Sequence, residues 1–307
     1  MDRREFLRLL AIAGIASGQA SCATRGRAAD PDIYSSASFG QARLLHFTDC
    51  HAQLKPVYYR EPNVNLGFGD ALNTPPHLVG DALLEYFGLE PGTRFAHALT
   101  HLDFAAAAER YGKVGGFAHL KTLVDTLRDE AGPGGSLLLD GGDTWQGSGT
   151  AYWTRGRDMV GACNLLGVDV MTGHWEFTYL DNEVLQNIAE FEGEFVAQNV
   201  RLTDEALFEG VAAFDENSGH VFRPYTLRNV GGRTIAVIGQ AFPYTPIANP
   251  SRFIPNWTFG IRAAELQQLV DSIRAKDNPD AVVLLSHNGM DVDIKLGRTV
   301  TGIDAIL

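Results

Sequence analysis

Four short apolar runs each give way to a residue that can bind a metal. Residues 43–48 lead into Asp49-Cys50-His51, and residues 136–140 into Gly141-Gly142-Asp143. Residues 168–172 lead into Gly173-His174, and residues 281–286 into His287. Carboxylate and imidazole without thiolate suit a hard or borderline ion such as Mn, Fe or Zn. Alternation along an extended chain puts Asp49 and His51 on one side and turns Cys50 away. Each residue alone has an ordinary reading. Asp143 beside glycines is a turn residue or a helix cap. A single His174 or His287 is a hydrogen-bonded structural histidine. The joint pattern is far more specific than its members.

Other side chains near these positions read as support. Cys50 has acid–base neighbours that could activate it; as a small buried residue behind the ligands it is inert. Trp145 and Trp175 either stack on a ligand or pack the wall of the site. Glu176 stands behind the ligands with Cys50 and Trp145. His46, inside the first apolar run, belongs to the core or backs the site. His119 is a structural residue of a helix. His77, His97, His101 and His220 lie in weakly patterned segments and carry no assignment.

The apolar runs have the character of strands buried on both faces. A fourth such strand lies at 195–200, before the Ala281–Ser286 strand. A hairpin joins 225–230 to 234–238 through Gly231-Gly232. Helical spacing marks 115–128, 159–166 and 261–275. Strands alternating with helices predict an α/β fold, with the polar residues beyond the carboxyl ends of the strands, where such sheets build sites. Residues 55–112, rich in Pro and Gly, read as a long insertion with one helix at 76–87. Residues 301–307 read as a helix turn entering a strand, with no polar tail; the expectation is a chain that continues beyond them.

The 307 residues carry 25 Lys and Arg against 37 Asp and Glu, a net charge of −12. That balance argues against binding a nucleic-acid backbone. Three cysteines make no disulfide framework. No apolar run approaches the ~20 residues of a membrane span. The start does read as an export signal: Arg3-Arg4 before Phe6-Leu7, an apolar stretch, then small residues. The paired arginines resemble the twin-arginine type, which implies a periplasmic protein exported already folded. The signal is assigned to 1–28 and the catalytic domain to 40–307. Cys22 is an alternative site for a lipid anchor.

The motifs together resemble the binuclear metallophosphoesterases, in their 5′-nucleotidase-like branch. That branch carries D-x-H, G-D, G-N-H-E, a lone His after an apolar strand, and G-H-x-H. Asp49-Cys50-His51, Gly142-Asp143 and Ser286-His287-Asn288 match the first, second and fourth. The third departs, because Gly173-His174-Trp175-Glu176 puts His at the metal-binding Asn and Trp at the His that protonates the phosphoryl group. This departure is similar to the SoxB subgroup, the sulfate thiohydrolases of thiosulfate oxidation. The phrases at 49–56, 141–148 and 173–179 look like that subgroup throughout.

The resemblance implies an αββα sandwich of two mixed sheets, cut before the last ligand motif and a second domain. It implies two divalent ions, manganese by the family's habit, with Asp143 shared between them. Asp49 and His51 would hold one ion, His174 and His287 the other. Such a pair turns bound water into a nucleophile at neutral pH. The implied substrate is a cysteine-bound thiosulfonate on the arm of the SoxYZ carrier, with Trp175 as the specificity mark of the site wall and part of the 55–112 insertion along the channel. The alternatives are a periplasmic 5′-nucleotidase or cyclic-nucleotide phosphodiesterase, and an inactive metal-binding domain.

Overall fold

The computed structural model describes residues 40–58, 69–75, 77–99 and 104–307. The expected signal at 1–28, with Cys22, lies outside them, as do Pro76 and His101. Among the described residues ten strands follow in chain order: β1 (Arg43–Phe47), β2 (Ser136–Asp140), β3 (Val170–Met171), β4 (Glu194–Phe195), β5 (Arg201–Leu202), β6 (Tyr225–Val230), β7 (Arg233–Gln240), β8 (Trp257–Thr258), β9 (Ala281–Ser286) and β10 (Ala305–Ile306). The first sheet runs β1-β2-β3-β4, all parallel. The second runs β10-β9-β7-β6, parallel except for the β6–β7 hairpin. β5 and β8 form a small antiparallel pair.

Side-chain alternation sorts each strand between two cores. Leu137 and Leu139 of β2 pack with Ile235 and Val237 of β7 and with Val283 and Leu285 of β9, between the sheets. Leu138 of β2 turns outward to the helices Phe117–Ala131 and Arg157–Leu166 through Val124 and Cys163. Val282 and Leu284 of β9 turn to the helices Ala263–Lys276 and Met290–Thr299 through Leu266, Val270 and Leu296. The layers are helix, sheet, sheet, helix, as expected. Each fully buried Leu or Val is worth about 1.5–3 kcal/mol against exposure, so a strand buried on both faces needs an unbroken apolar run.

Two expected strands are shorter than their apolar runs. Of 168–172 only Val170 and Met171 pair. Of 195–200 only Phe195 lies in a strand, because the chain then leaves the first sheet. Val196 N–H still donates to Met171 O (2.8 Å), but Gln198 N–H donates to Gly239 O on β7 (2.8 Å). The insertion holds three α-helices among its described residues, Gly80–Phe87, Arg94–Leu99 and Phe104–Tyr111, and a short 3-10 turn at Gly69–Ala71, where one helix was expected. The strand expected near 307 is β10, while residues 301–304 form no helix turn and bend only at Gly302.

Candidate metal centre

The five candidate ligands follow the carboxyl ends of β1, β2, β3 and β9. The loop after β1 is laid along the loop after β2 by its backbone. Asp49 N–H donates to Gly142 O (3.0 Å), His51 N–H to Asp143 O (2.9 Å) and Ala52 N–H to Thr144 O (3.1 Å). Asp49, His51 and Asp143 all have left-handed backbone, with φ of 56°, 46° and 60°. Such conformations cost about 1–3 kcal/mol for a residue with a side chain and gather at functional sites. Two glycines let the loops close up. A Cβ on Gly142 would lie 2.9 Å from Gly173 Cα, and one on Gly147 would lie 2.4 Å from His51 O.

The side chains then converge on one carboxylate. Asp143 Oδ2 lies 3.1 Å from His174 Nδ1, 3.6 Å from His51 Nε2 and 3.9 Å from His287 Nε2. Asp49 Oδ1 lies 3.8 Å from both His51 Nε2 and His287 Nε2. His174 Nδ1 and His287 Nε2 are 3.1 Å apart. Two ligand groups result: Asp49, His51 and Asp143 in one, Asp143, His174 and His287 in the other. Asp143, the residue expected to bridge, belongs to both. His287 has its tautomer set by Nδ1–H donating to Gly141 O (2.7 Å), which aims the Nε2 lone pair at the cluster.

Glu176 is fully buried and reaches both ligand loops. Its carboxylate accepts from the backbone N–H of Asp143 (3.1 Å), Thr144 (2.7 Å), Trp145 (3.0 Å) and His174 (2.8 Å). Cys50 is half-buried, and burial followed by the charges of Asp140 and Asp49 pushes its thiol up to about 12. It is a thiol at neutral pH and the inert reading of this residue fits. Trp145 is fully buried between Phe191 and Phe195, so its ring is core and only its backbone serves the site. Trp175 is half-buried, its ring 5.5 Å from that of His174. His46 is exposed on the edge strand β1, outside the core, and of its two readings the one that backs the site fits: a Cβ on Gly141 would lie 2.9 Å from its Nε2. His119 lies on its helix with Nδ1 at 2.8 Å from Gly115 O.

Three contributors carry no motif of their own. Asp140 Oδ1 accepts from Gly142 N–H (2.9 Å) and Thr144 Oγ1–H (2.8 Å), and burial raises its pKa well above the usual range. Thr48 Oγ1–H donates to Asp49 Oδ2 (2.7 Å). Phe242 lays its ring 4.1 Å from that of His174. The Asp140-Gly141-Gly142-Asp143 run is the available signal for the first; nothing in the sequence pattern marks Phe242.

The residues fit a pair of divalent ions. Asp143 is a buried carboxylate whose Oδ1 has no hydrogen-bond partner among the described residues, and three imidazole rings lie around its Oδ2. A buried anion of this kind is costly unless cations share it. The donors are nitrogen and oxygen only, which suits Mn, Fe or Zn.

No family model matches the chain. The 5′-nucleotidase of Rattus norvegicus is 30% identical over 200 residues, covering 63% of this chain and 32% of that protein. UshA of Yersinia enterocolitica is 31% identical over 191 residues, 61% of this chain and 32% of its own. The sulfate thiohydrolase SoxB of Thermus thermophilus, solved in complex with glycerol, superposes with a TM-score of 0.70 and 37% identity over 89% of this chain. The chain is similar in sequence and fold to the 5′-nucleotidase-like branch of the metallophosphoesterases.

A 5′-nucleotidase precursor of Thermus thermophilus shares this metallophosphoesterase fold, with a TM-score of 0.58 at 22% identity. The chain spans about a third of the length of the curated relatives it matches and 48% of that SoxB. The two ligand groups that meet at Asp143 have the form of a site for two metal ions. Among the described residues no helix is long and apolar enough to cross a membrane.

Proposed function

We propose that this metallophosphoesterase is a sulfate thiohydrolase of the SoxB type, acting on a cysteine-bound thiosulfonate of the SoxYZ carrier. Water adds its oxygen to the terminal sulfonate sulfur and the S–S bond breaks. Sulfate leaves, two protons are released, and the sulfane sulfur stays on the carrier as a persulfide anion. Export by the twin-arginine route to the periplasm belongs to the same reading, supported by the Arg3-Arg4 leader.

Trp175 carries the proposal. It occupies the place of the catalytic His in the nucleotidase motif, with its ring 5.5 Å from His174. An indole N–H does not protonate a leaving group. A persulfide anion is a weak base and departs without a proton, whereas a nucleoside alkoxide needs one. The greater coverage and identity with SoxB than with the nucleotidases support the same choice.

Asp49, His51, Asp143, His174 and His287 would hold the two ions, with manganese as the family's expectation. Such ions supply an activated water and neutralise charge growing on the attacked sulfonate. The chain's own groups hold the arrangement. Glu176 ties the Asp143 loop to the His174 loop, and Gly141 O fixes which nitrogen of His287 faces the cluster. Trp175 and Phe242 flank His174 with apolar rings, a wall suited to a peptide arm.

The test is an assay of the full-length protein loaded with Mn. Sulfate release from a carrier cysteine S-thiosulfonate is measured beside phosphate release from AMP and ring opening of cyclic AMP. The proposal expects sulfate release and little nucleotide hydrolysis. Vigorous nucleotide hydrolysis without sulfate release overturns it in favour of the 5′-nucleotidase or phosphodiesterase reading, which the curated relatives support.

A further inference from the structure

The two histidines of the Asp143–His174–His287 group are held in different ways. His287 has the usual device for a ligand imidazole, its second nitrogen hydrogen-bonded to Gly141 O at 2.7 Å. His174 turns Nδ1 to Asp143 Oδ2 and His287 Nε2, both at 3.1 Å. Its Nε2 is buried and has no hydrogen-bond partner among the described residues. No polar group on that side therefore sets the rotation of the His174 ring.

An apolar ring packs against His174 in place of a polar partner. Phe242 sits with its centroid 4.1 Å from that of His174 at an interplanar angle of 46°. Its backbone is anchored to the ligand loop itself, because Phe242 N–H donates to Gly173 O (3.2 Å). On either side it is clamped. Asn199 pairs with Ala241 by donating to its carbonyl and accepting from its N–H, both at 2.8 Å, and Thr245 Oγ1–H donates to Phe242 O (2.8 Å). The ring is thus carried on fixed backbone from β7, in the other sheet.

We propose that Phe242 is a positioning residue for His174, holding the imidazole by ring packing in place of a hydrogen bond. The proposal rests on the metal-centre reading of the five strand-end residues. An imidazole without an acceptor on its second nitrogen is a weaker donor. An ion held by His174 and His287 would then be the less tightly bound of the two, and the one sensitive to Phe242.

The test is a Mn titration of the full-length protein by equilibrium dialysis, with bound ions followed by electron paramagnetic resonance. Wild type is compared with Phe242→Tyr, which keeps the ring, Phe242→Leu, which keeps apolar bulk alone, and Phe242→Ala. Two ions are expected in wild type and Phe242→Tyr. In Phe242→Leu and Phe242→Ala one ion should bind about tenfold or more weakly, the range seen when groups behind a ligand are removed. The other ion should keep its affinity. Wild-type binding of both ions by Phe242→Leu overturns the proposal, as does equal weakening of both ions in Phe242→Leu. If Phe242→Ala does not fold, the Leu and Tyr variants decide. A wild type that takes up fewer than two ions overturns the metal-centre reading and this proposal with it.

Discussion

Glu176 binds two ligand loops together through four backbone N–H groups, and the cost of losing it can be argued from those bonds alone. A carboxylate offers acceptors to all four donors. An amide in its place would turn one NH2 towards backbone N–H groups and leave buried donors unsatisfied. Each such group costs about 1–3 kcal/mol. Glu176→Gln is therefore expected to lower stability by roughly 3 kcal/mol in urea unfolding and to weaken Mn binding, since Asp143 and His174 lose their common tie. Wild-type stability in that variant would show that the four contacts carry no load. The ligands are legible in the sequence because each follows closely on an apolar run, buried in β2, β3 and β9 and partly exposed in the edge strand β1. Phe242 is not, and Asp140 is marked only by the Asp140-Gly141-Gly142-Asp143 run, since their roles arise from contacts that no spacing encodes. Asp140 folds its carboxylate back on Gly142 N–H and raises the Cys50 thiol from another strand, and Phe242 meets His174 across two sheets.

The strands position the ligands through their ends, so element boundaries matter more than element lengths. Apolar runs report burial, not pairing. That is why the run at 281–286 matches its strand while 168–172 and 195–200 overstate theirs: residues 196–198 stay buried as they cross to the second sheet. The crossing depends on Gly239. A Cβ there would lie 1.9 Å from Val196 O and 2.2 Å from its carbonyl carbon. Gly239 is followed by Gln240, whose carbonyl accepts from His287 N–H (2.9 Å) and so fixes the last ligand. Gly239→Ala should destabilise the fold by about 3 kcal/mol, at the upper part of the overpacking range, and should impair metal uptake as well. A urea midpoint equal to wild type would contradict this account of the crossing.

The two sheets contribute unequally to the centre. The first supplies Asp49, His51, Asp143 and His174, and the second supplies His287 with Phe242 packed beside it. The interface between them, built on Leu139, Val237, Val283 and Leu285, therefore sets the spacing of the ligands. The α/β class and the layering can be read from strands that are apolar along their whole length, because only sheets covered on both faces require that pattern. Of the helices of the insertion, Gly80–Phe87 falls within the helix expected at 76–87, whereas Arg94–Leu99 and Phe104–Tyr111 are too short for their spacing to stand out among the surrounding Gly and Pro. All of this converges on Asp143 as the carboxylate common to two ligand groups. The direct measurement is electron paramagnetic resonance of the Mn-loaded full-length protein, wild type against Asp143→Asn. The account predicts two ions with an exchange-coupled signal in wild type, and loss of the coupling with at least one ion lost in the variant. Isolated, uncoupled Mn in the wild type, or coupling that survives Asp143→Asn, would contradict it.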